Sequence, residues 1–203
     1  MTDSANLIAL YTDLHQFPEL SFSEFRTAGI VASWLRESGF SVTEGVGTTG
    51  VVGVLHRGDG PVVWLRADMD GLPITENTGS VYSSKVPGVM HACGHDVHVT
   101  CLLGAARELS LRDDWRGTLV VIGQPAEEIA QGAAAMVNEG ILGLVPLPDI
   151  VLGQHVSPLP VGTIGLTPGP MWAATDSLTI TIYGRGGHGS RPETTVDPVV
   201  IAA

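Results

Sequence analysis

Apolar residues recur along this chain in two periods, one helical and one extended. Over residues 4–16 and 24–38 the spacing predicts helices. In the second stretch Ile30, Val31, Trp34 and Leu35 make a single stripe, and Gly39 follows as a stop signal. Extended runs follow over residues 50–56 and 61–67, joined by Gly58-Asp59-Gly60-Pro61, whose residue types set a turn. Val62-Val63-Trp64-Leu65 is apolar on both faces, the pattern of a buried central strand. Residues 68–92 lack any period and read as a long loop, of the kind that carries function in compact domains. A helix is predicted over 94–109, with Val97, Cys101, Leu102, Ala105 and Leu109 on one side. A buried strand at 119–122, a helix over 133–142 and a third buried strand at 150–152 complete the alternation. Together these predict an α/β fold with a largely parallel central sheet flanked by helices.

Near residue 172 the pattern changes. Residues 177–183 alternate polar and apolar strictly, which predicts a half-exposed strand. A glycine-rich turn over 184–190 follows, and Asp197 opens a helix. One strand and the start of one helix cannot bury a core. Residues 1–172 are therefore expected to form the first domain, and residues 173–203 the incomplete start of a second.

Composition narrows the function. A length of 203 residues suffices for a hydrophobic core, and an apolar share of 44% argues against disorder. The net charge is −11, with Lys85 the single lysine, so a nucleic-acid partner is not expected. That charge does not identify a substrate, because bound metal reverses the local field of a site. The first 30 residues hold no charged start followed by an apolar run, so no secretory signal is expected. The longest uncharged run, 150–175, contains four prolines, several glycines and His155, so a membrane span is not expected either. Cys93 and Cys101, about two turns apart on one predicted helix, cannot bridge. A reducing, cytoplasmic setting is the expectation.

Candidate chemistry is concentrated in three segments. His91-Ala92-Cys93-Gly94-His95-Asp96 places a thiol and an imidazole two residues apart at the mouth of a helix. Gln124-Pro125-Ala126-Glu127-Glu128 presents adjacent carboxylates, and Gly153-Gln154-His155 a second imidazole. Cys, His and Glu hold transition metals, and a spare carboxylate beside a ligand is what metal-assisted hydrolysis requires. The predicted buried strands run into Arg66-Ala67-Asp68-Met69-Asp70, into Gln124 to Glu128 and into Gln154-His155. In open α/β sheets, sites form beyond the carboxyl ends of the strands. Asp68, Cys93, His95, Glu127, Glu128 and His155 are thus expected to converge on one crevice.

Singly, each of these residues has a plainer reading. Cys93 could be a small buried hydrophobe, His95 a cap, the glutamates a solvated pair, and His155 a core histidine. Their joint occurrence at strand ends favours a site. His98 reads as a supporting or packing residue, His15 and His56 as remote, and Asp96 as a charge serving its helix N-terminus. Two other chemistries compete: a Cys93 nucleophile with His95 or His155 as base, and a closed structural zinc site.

These motifs resemble the M20 metallopeptidase family, in its amidohydrolase branch of aminoacylases, hippurate hydrolases and indole-acetyl-amino-acid hydrolases. The resemblance is carried by Leu65 to Ile74, His91 to Asp96, Gln124 to Glu128, Gly153 to Val156 and Gly184 to Pro192, with His15-Gln16-Phe17-Pro18-Glu19-Leu20 near the start. It implies a zinc-peptidase-like catalytic domain followed by an α+β lid or dimerisation domain. It also implies hydrolysis of N-acyl amino acids or related small amides at a site holding two divalent ions, manganese, zinc or cobalt. By motif position Cys93, His95, Glu128 and His155 would be ligands and Glu127 the general base and acid. Asp68 would orient a ligand. The wider family has a histidine where this chain has Arg66, which fits the branch in which Cys93 is a ligand. His188 would reach a substrate carbonyl across a homodimer. Family members are longer, return from the lid to complete the sheet, and supply a further metal-binding histidine. The chain is therefore expected to correspond to the N-terminal part of such an enzyme. The alternative is a catalytically silent fragment that binds metal or a partner chain.

Overall fold

In the computed structural model, residues 4–174, 176 and 178–203 are described, and the chain divides after Pro158 into two units. The first unit is built on five strands, β1 (Ser41–Val46), β2 (Gly50–Arg57), β3 (Val62–Asp68), β4 (Gly117–Gln124) and β5 (Ile150–Gly153). Their order in the sheet is β1-β2-β4-β3-β5. Among the five strands, β4–β3 and β3–β5 pair parallel while β1–β2 and β2–β4 pair antiparallel, so the sheet is mixed rather than largely parallel. The turn at Gly58-Asp59-Gly60-Pro61 reverses the chain between β2 and β3. β4 then returns parallel to β3 and inserts between the two. A parallel return needs a long crossover. Helix α3 (His95–Leu111) provides it.

Helices α1 (Ser4–Gln16) and α2 (Phe25–Glu37) begin and end within a residue of the predicted bounds. They pack with α3 on one face of the sheet. Leu14, Val31, Leu35, Val51, Met69, Leu103 and Val121 are fully buried there. The opposite face holds Val52, Trp64, Val120, Ile122, Met136 and Ile141. β4 supplies both clusters: Leu119 and Val121 point one way, Val120 and Ile122 the other. Side chains alternate across a strand, so a strand covered on both faces must be apolar throughout. Burying each such side chain is worth about 1.5–3 kcal/mol.

Two further expectations are corrected, and one strand carried none. β5 is not buried: Ile150, Val151 and Leu152 are 49%, 54% and 48% exposed. Among the described residues it lies at the sheet edge, paired with β3 alone, and neither apolar cluster extends to it. The helix expected over 133–142 is two, α4 (Gly132–Asn138) and α5 (Ile141–Leu144), because Gly140 at φ 92° breaks the turn between them. β1 carries no prediction; its short, mostly exposed run has little apolar signal, and pairing with β2 defines it.

In the second unit, the strand expected over 177–183 does not form among the described residues, and Ser177 lies outside them. Leu178 and Ile180 are exposed there. Alternation makes a strand only where a neighbour pairs with it, and among the described residues of this unit pairing is confined to an Arg185–Val196 bridge. A short 3-10 turn (Pro192–Thr194) leads into α6 (Pro198–Ala202), where Asp197 accepts from the Val199 amide as an N-cap. Among the described residues, no helix is long and apolar enough to cross a membrane.

Candidate active site

The register of the parallel strands creates the site. Asp68 and Gln124, the last residues of β3 and β4, are partners, so Met69-Asp70 and Pro125 to Glu128 leave the sheet at the same edge. β5 ends beside them, with Gly153 opposite Arg66, and delivers Gln154-His155. Helix α3 starts at His95, immediately after Gly94 at φ 84°. A Cβ on Gly94 would stand 2.5 Å from Val156 Cγ2, so both the left-handed backbone and the close approach require glycine.

His95 is the centre. It is fully buried, and neither ring nitrogen has a hydrogen-bond partner. Its Nε2 faces Asp68 at 3.6 Å, Glu128 at 3.7 Å and Glu127 at 3.8 Å. Its Nδ1 lies 3.3 Å from Asp70, an ionic approach outside hydrogen-bond geometry. Glu128 Oε1 is likewise buried without a partner. On the far side, Cys93 Sγ stands 3.4 Å from His155 Nε2. His155 Nδ1 lies 2.7 Å from the Val156 carbonyl, which can only accept, so Nδ1 carries the proton and Nε2 is the basic nitrogen. Ligand atoms of Cys93, His95 and His155 lie within 4.8 Å of one another, as do those of His95, Glu127 and Glu128. His95 joins both groups, so the six predicted residues of this unit meet at one crevice.

The electrostatics fit a cation. Four carboxylates surround one imidazole, and leaving buried polar atoms unpaired costs about 1–3 kcal/mol each. Burial would raise the Asp68 carboxyl, but the His98 hydrogen bond and the Arg66 guanidinium outweigh it and hold it at about 2. For Asp70 burial also opposes, yet His95, Ser21 and the amides of Glu128 and Glu127 lower it. Glu128 is pushed up by burial and by Glu127 and Asp70, against the pull of His95. His95 is raised despite burial, by Asp70 and Asp68. Cys93 is pushed up to about 11 by burial and by the Glu128 and Glu127 carboxylates. An activated cysteine nucleophile needs the opposite field, so the Cys93 hydrolase reading loses support. A divalent ion between the thiol, the imidazoles and the carboxylates would relieve each of these frustrations.

Further residues support the site, and of these Asp70 and Ser21 carried no predicted role. Asp70 accepts the backbone amides of Glu127 (3.1 Å) and Glu128 (3.0 Å) and the Ser21 hydroxyl (2.6 Å) while facing His95. Asp68 engages His98 Nδ1 at 2.7 Å and Arg66 at 2.8 Å, and Arg66 also donates to Gln124. His98 Nε2 accepts the Val156 amide at 2.9 Å. Both of its nitrogens are used, so His98 supports the site rather than offering a lone pair. His15 is not remote: its Nδ1 meets Asp96 at 2.6 Å, beside His95. The Asp-x-Asp pair ending a buried strand was a usable signal for Asp70, and His15 stood in a segment that carries the family resemblance; Ser21 had no signal. His188 lies in the second unit, exposed, with Nδ1 2.8 Å from Ser190 Oγ.

Known proteins are similar to this chain in sequence and in fold. The model of peptidase family M20/M25/M40 matches residues 64–203. N-acetylcysteine deacetylase of Bacillus subtilis is 43% identical over 209 residues, covering 100% of this chain and 54% of that protein. Hippurate hydrolase of Campylobacter jejuni is 46% identical over 194 residues, covering 94% and 50%. The Bacillus subtilis YXEP protein, a dinuclear metal-binding peptidase of the M20 family, superposes with a TM-score of 0.75 at 44% identity, covering 82% of this chain and 46% of that one. The chain thus spans about half the length of the curated relatives it matches. With a family model covering most of its length and its strands ending at a His–Cys–carboxylate cluster around buried His95, the chain belongs to peptidase family M20/M25/M40.

Proposed function

We propose that this chain carries the metal-holding and proton-transferring part of an enzyme that hydrolyses the amide bond of N-acyl amino acids. The observation that carries the reading is His95, fully buried inside a cage of carboxylates and, among the described residues, hydrogen-bonded at neither nitrogen. Cys93, His95, Glu128 and His155 would hold two divalent ions, manganese, zinc or cobalt. When bound, such ions supply Lewis-acid polarisation of the scissile carbonyl and lower the pKa of water.

The remaining roles follow from position. The Glu127 side chain is 41% exposed and that of Glu128 is 18% exposed. Glu127 can therefore reach a water and a substrate, taking a proton from the water and passing it to the leaving amine nitrogen as the C–N bond breaks. Glu128, deeper and with an unpaired oxygen, is the ligand. Asp70 steadies Nδ1 of His95 and so aims Nε2 into the cage, a task the motif alone assigned to Asp68. Asp68 in turn is pinned by Arg66 and His98. His155 is held in one tautomer by the Val156 carbonyl, leaving Nε2 for the ion.

In the same reading, residues 173–203 open a lid or dimerisation domain, His188 reaches a substrate carbonyl, and the complete enzyme is a cytoplasmic homodimer. The exposed edge of β5 supports a second reading, in which this chain binds metal and pairs with a further segment but does not turn over alone. An assay of N-acetylcysteine, hippurate and other N-acyl amino acids separates the two, run with and without Mn²⁺ or Zn²⁺, on this chain and on the full-length protein. Metal-dependent release of free amino acid by the full-length protein is expected. If no member of the panel is cleaved under either condition, the hydrolase reading is lost.

A further inference from the structure

Glu24 is a fully buried carboxylate that the proposed chemistry does not use. It stands at the N-cap of α2 but makes no side-chain cap bond to its own helix. Its side chain crosses the molecule instead. Oε1 accepts the backbone amide of Ala126 at 2.8 Å, across 102 residues of sequence, and Oε2 accepts the Thr49 hydroxyl.

Ala126 is an unusual residue to hold. It is fully buried, lies at φ 48° and immediately precedes Glu127. The left-handed region disfavours a residue with a Cβ, so this conformation persists only where its surroundings enforce it. Around Ala126 they do: its carbonyl accepts from Gln131 at 3.3 Å and Gly132 at 3.1 Å, and its amide is taken by Glu24. The next two amides, of Glu127 and Glu128, are both taken by Asp70. Three consecutive amides are thus gripped by two buried carboxylates, one from α2 and one from the end of β3.

We propose that Glu24 is a positioning residue: it locks the left-handed turn at Ala126 and thereby aims Glu127 and Glu128 at His95. This rests on the reading of Glu127 and Glu128 as base and ligand. The test therefore includes a measurement that does not depend on that reading. Removing the acceptor leaves the buried Ala126 amide unpaired and lets the turn relax toward ordinary backbone, swinging both glutamates away.

Glu24→Ala, Glu24→Gln and the double variant Glu24→Ala with Ala126→Gly are compared with the parent chain by amide hydrogen exchange and by calorimetric titration with Mn²⁺ and Zn²⁺. In Glu24→Ala, the amides of Ala126, Glu127 and Glu128 should exchange at least tenfold faster, those of α3 should be unchanged, and metal affinity should fall at least tenfold. Glu24→Gln, whose amide oxygen still accepts from Ala126, should stay within about threefold of the parent. Glycine adopts φ > 0 without penalty. The double variant should therefore recover part of the lost affinity. Unchanged exchange at 126–128 in Glu24→Ala would overturn the proposal. So would exchange faster by the same factor throughout α3 and β4, which marks a general loss of stability. If the parent binds neither ion, the metal-site reading fails on its own, and the exchange pattern still decides the role of Glu24.

Discussion

At the scale of single residues, the adjacent glutamates should separate by function. Glu127→Gln in the full-length protein should lower turnover by at least a hundredfold and keep its metal content. Glu128→Gln should lose metal, as elemental analysis after dialysis would register. Equal metal loss in both variants contradicts the assignment. Cys93 offers an independent check. Its thiol is pushed up to about 11 by burial and by the neighbouring Glu128 and Glu127 carboxylates. Thiolate is the reactive form, so alkylation of metal-free Cys93 should be slow at pH 8 and accelerate as pH rises toward 11. Zn²⁺ should block it altogether, because coordination ionises the sulfur and occupies it. Exposed Cys101 serves as the internal control by peptide mapping. An acyl group found on Cys93 during turnover would return the covalent mechanism to consideration.

At the scale of elements, helix α3 carries the centre of the site, and its start depends on one steric requirement. Gly94 takes a left-handed backbone against Val156 Cγ2. Gly94→Ala should destabilise the unit by about 1–3 kcal/mol through strain at that backbone. It should also displace His95, weakening metal binding beyond what the stability loss alone explains. Chemical denaturation with parallel metal titration checks both. A core change away from the site makes the contrast: Leu103→Ala on α3, fully buried, should cost about 2–5 kcal/mol while leaving the metal affinity of the folded fraction intact. The bounds of α1, α2 and α3, and the core of β4, were legible because each buries one stripe or both faces, and that periodicity is written locally. The break at Gly140 was weakly signalled, since an isolated glycine in a helical run is often tolerated.

At the scale of the whole molecule, the apolar edge sets the behaviour of the chain in solution. Ile150, Val151 and Leu152 of β5, with Leu142, Leu144 and Leu147 before them, are all about half exposed or more. An edge strand with unpaired backbone and apolar side chains is a template for association. The 203-residue chain should therefore self-associate at micromolar concentration in sedimentation experiments, and Val151→Lys should shift it toward monomer. A parent chain that sediments as a monomer at all concentrations would show that this edge is innocuous. Metal stoichiometry belongs to the same scale. Four proposed ligands are few for two ions with open positions, so the chain should bind one ion tightly, with the second weak until further ligands are supplied.

By itself, the sequence determined that β4 is buried on both faces, that helices alternate with the strands, and that residue types able to hold a metal lie at strand ends. These are local properties: a period of side chains, or a motif of a few residues. Tertiary structure decided what depends on residues distant along the chain. The insertion of β4 between β2 and β3 made the sheet mixed, and the edge position of β5 left an apolar run exposed. It also decided which carboxylate faces which nitrogen of His95: Asp68 on the Nε2 side, Asp70 behind Nδ1. Likewise, nothing near residue 24 announces a bond to residue 126, or near residue 15 a bond to residue 96. Such contacts pair groups across most of a domain and satisfy buried polar atoms one at a time, so they leave no periodic trace in the chain.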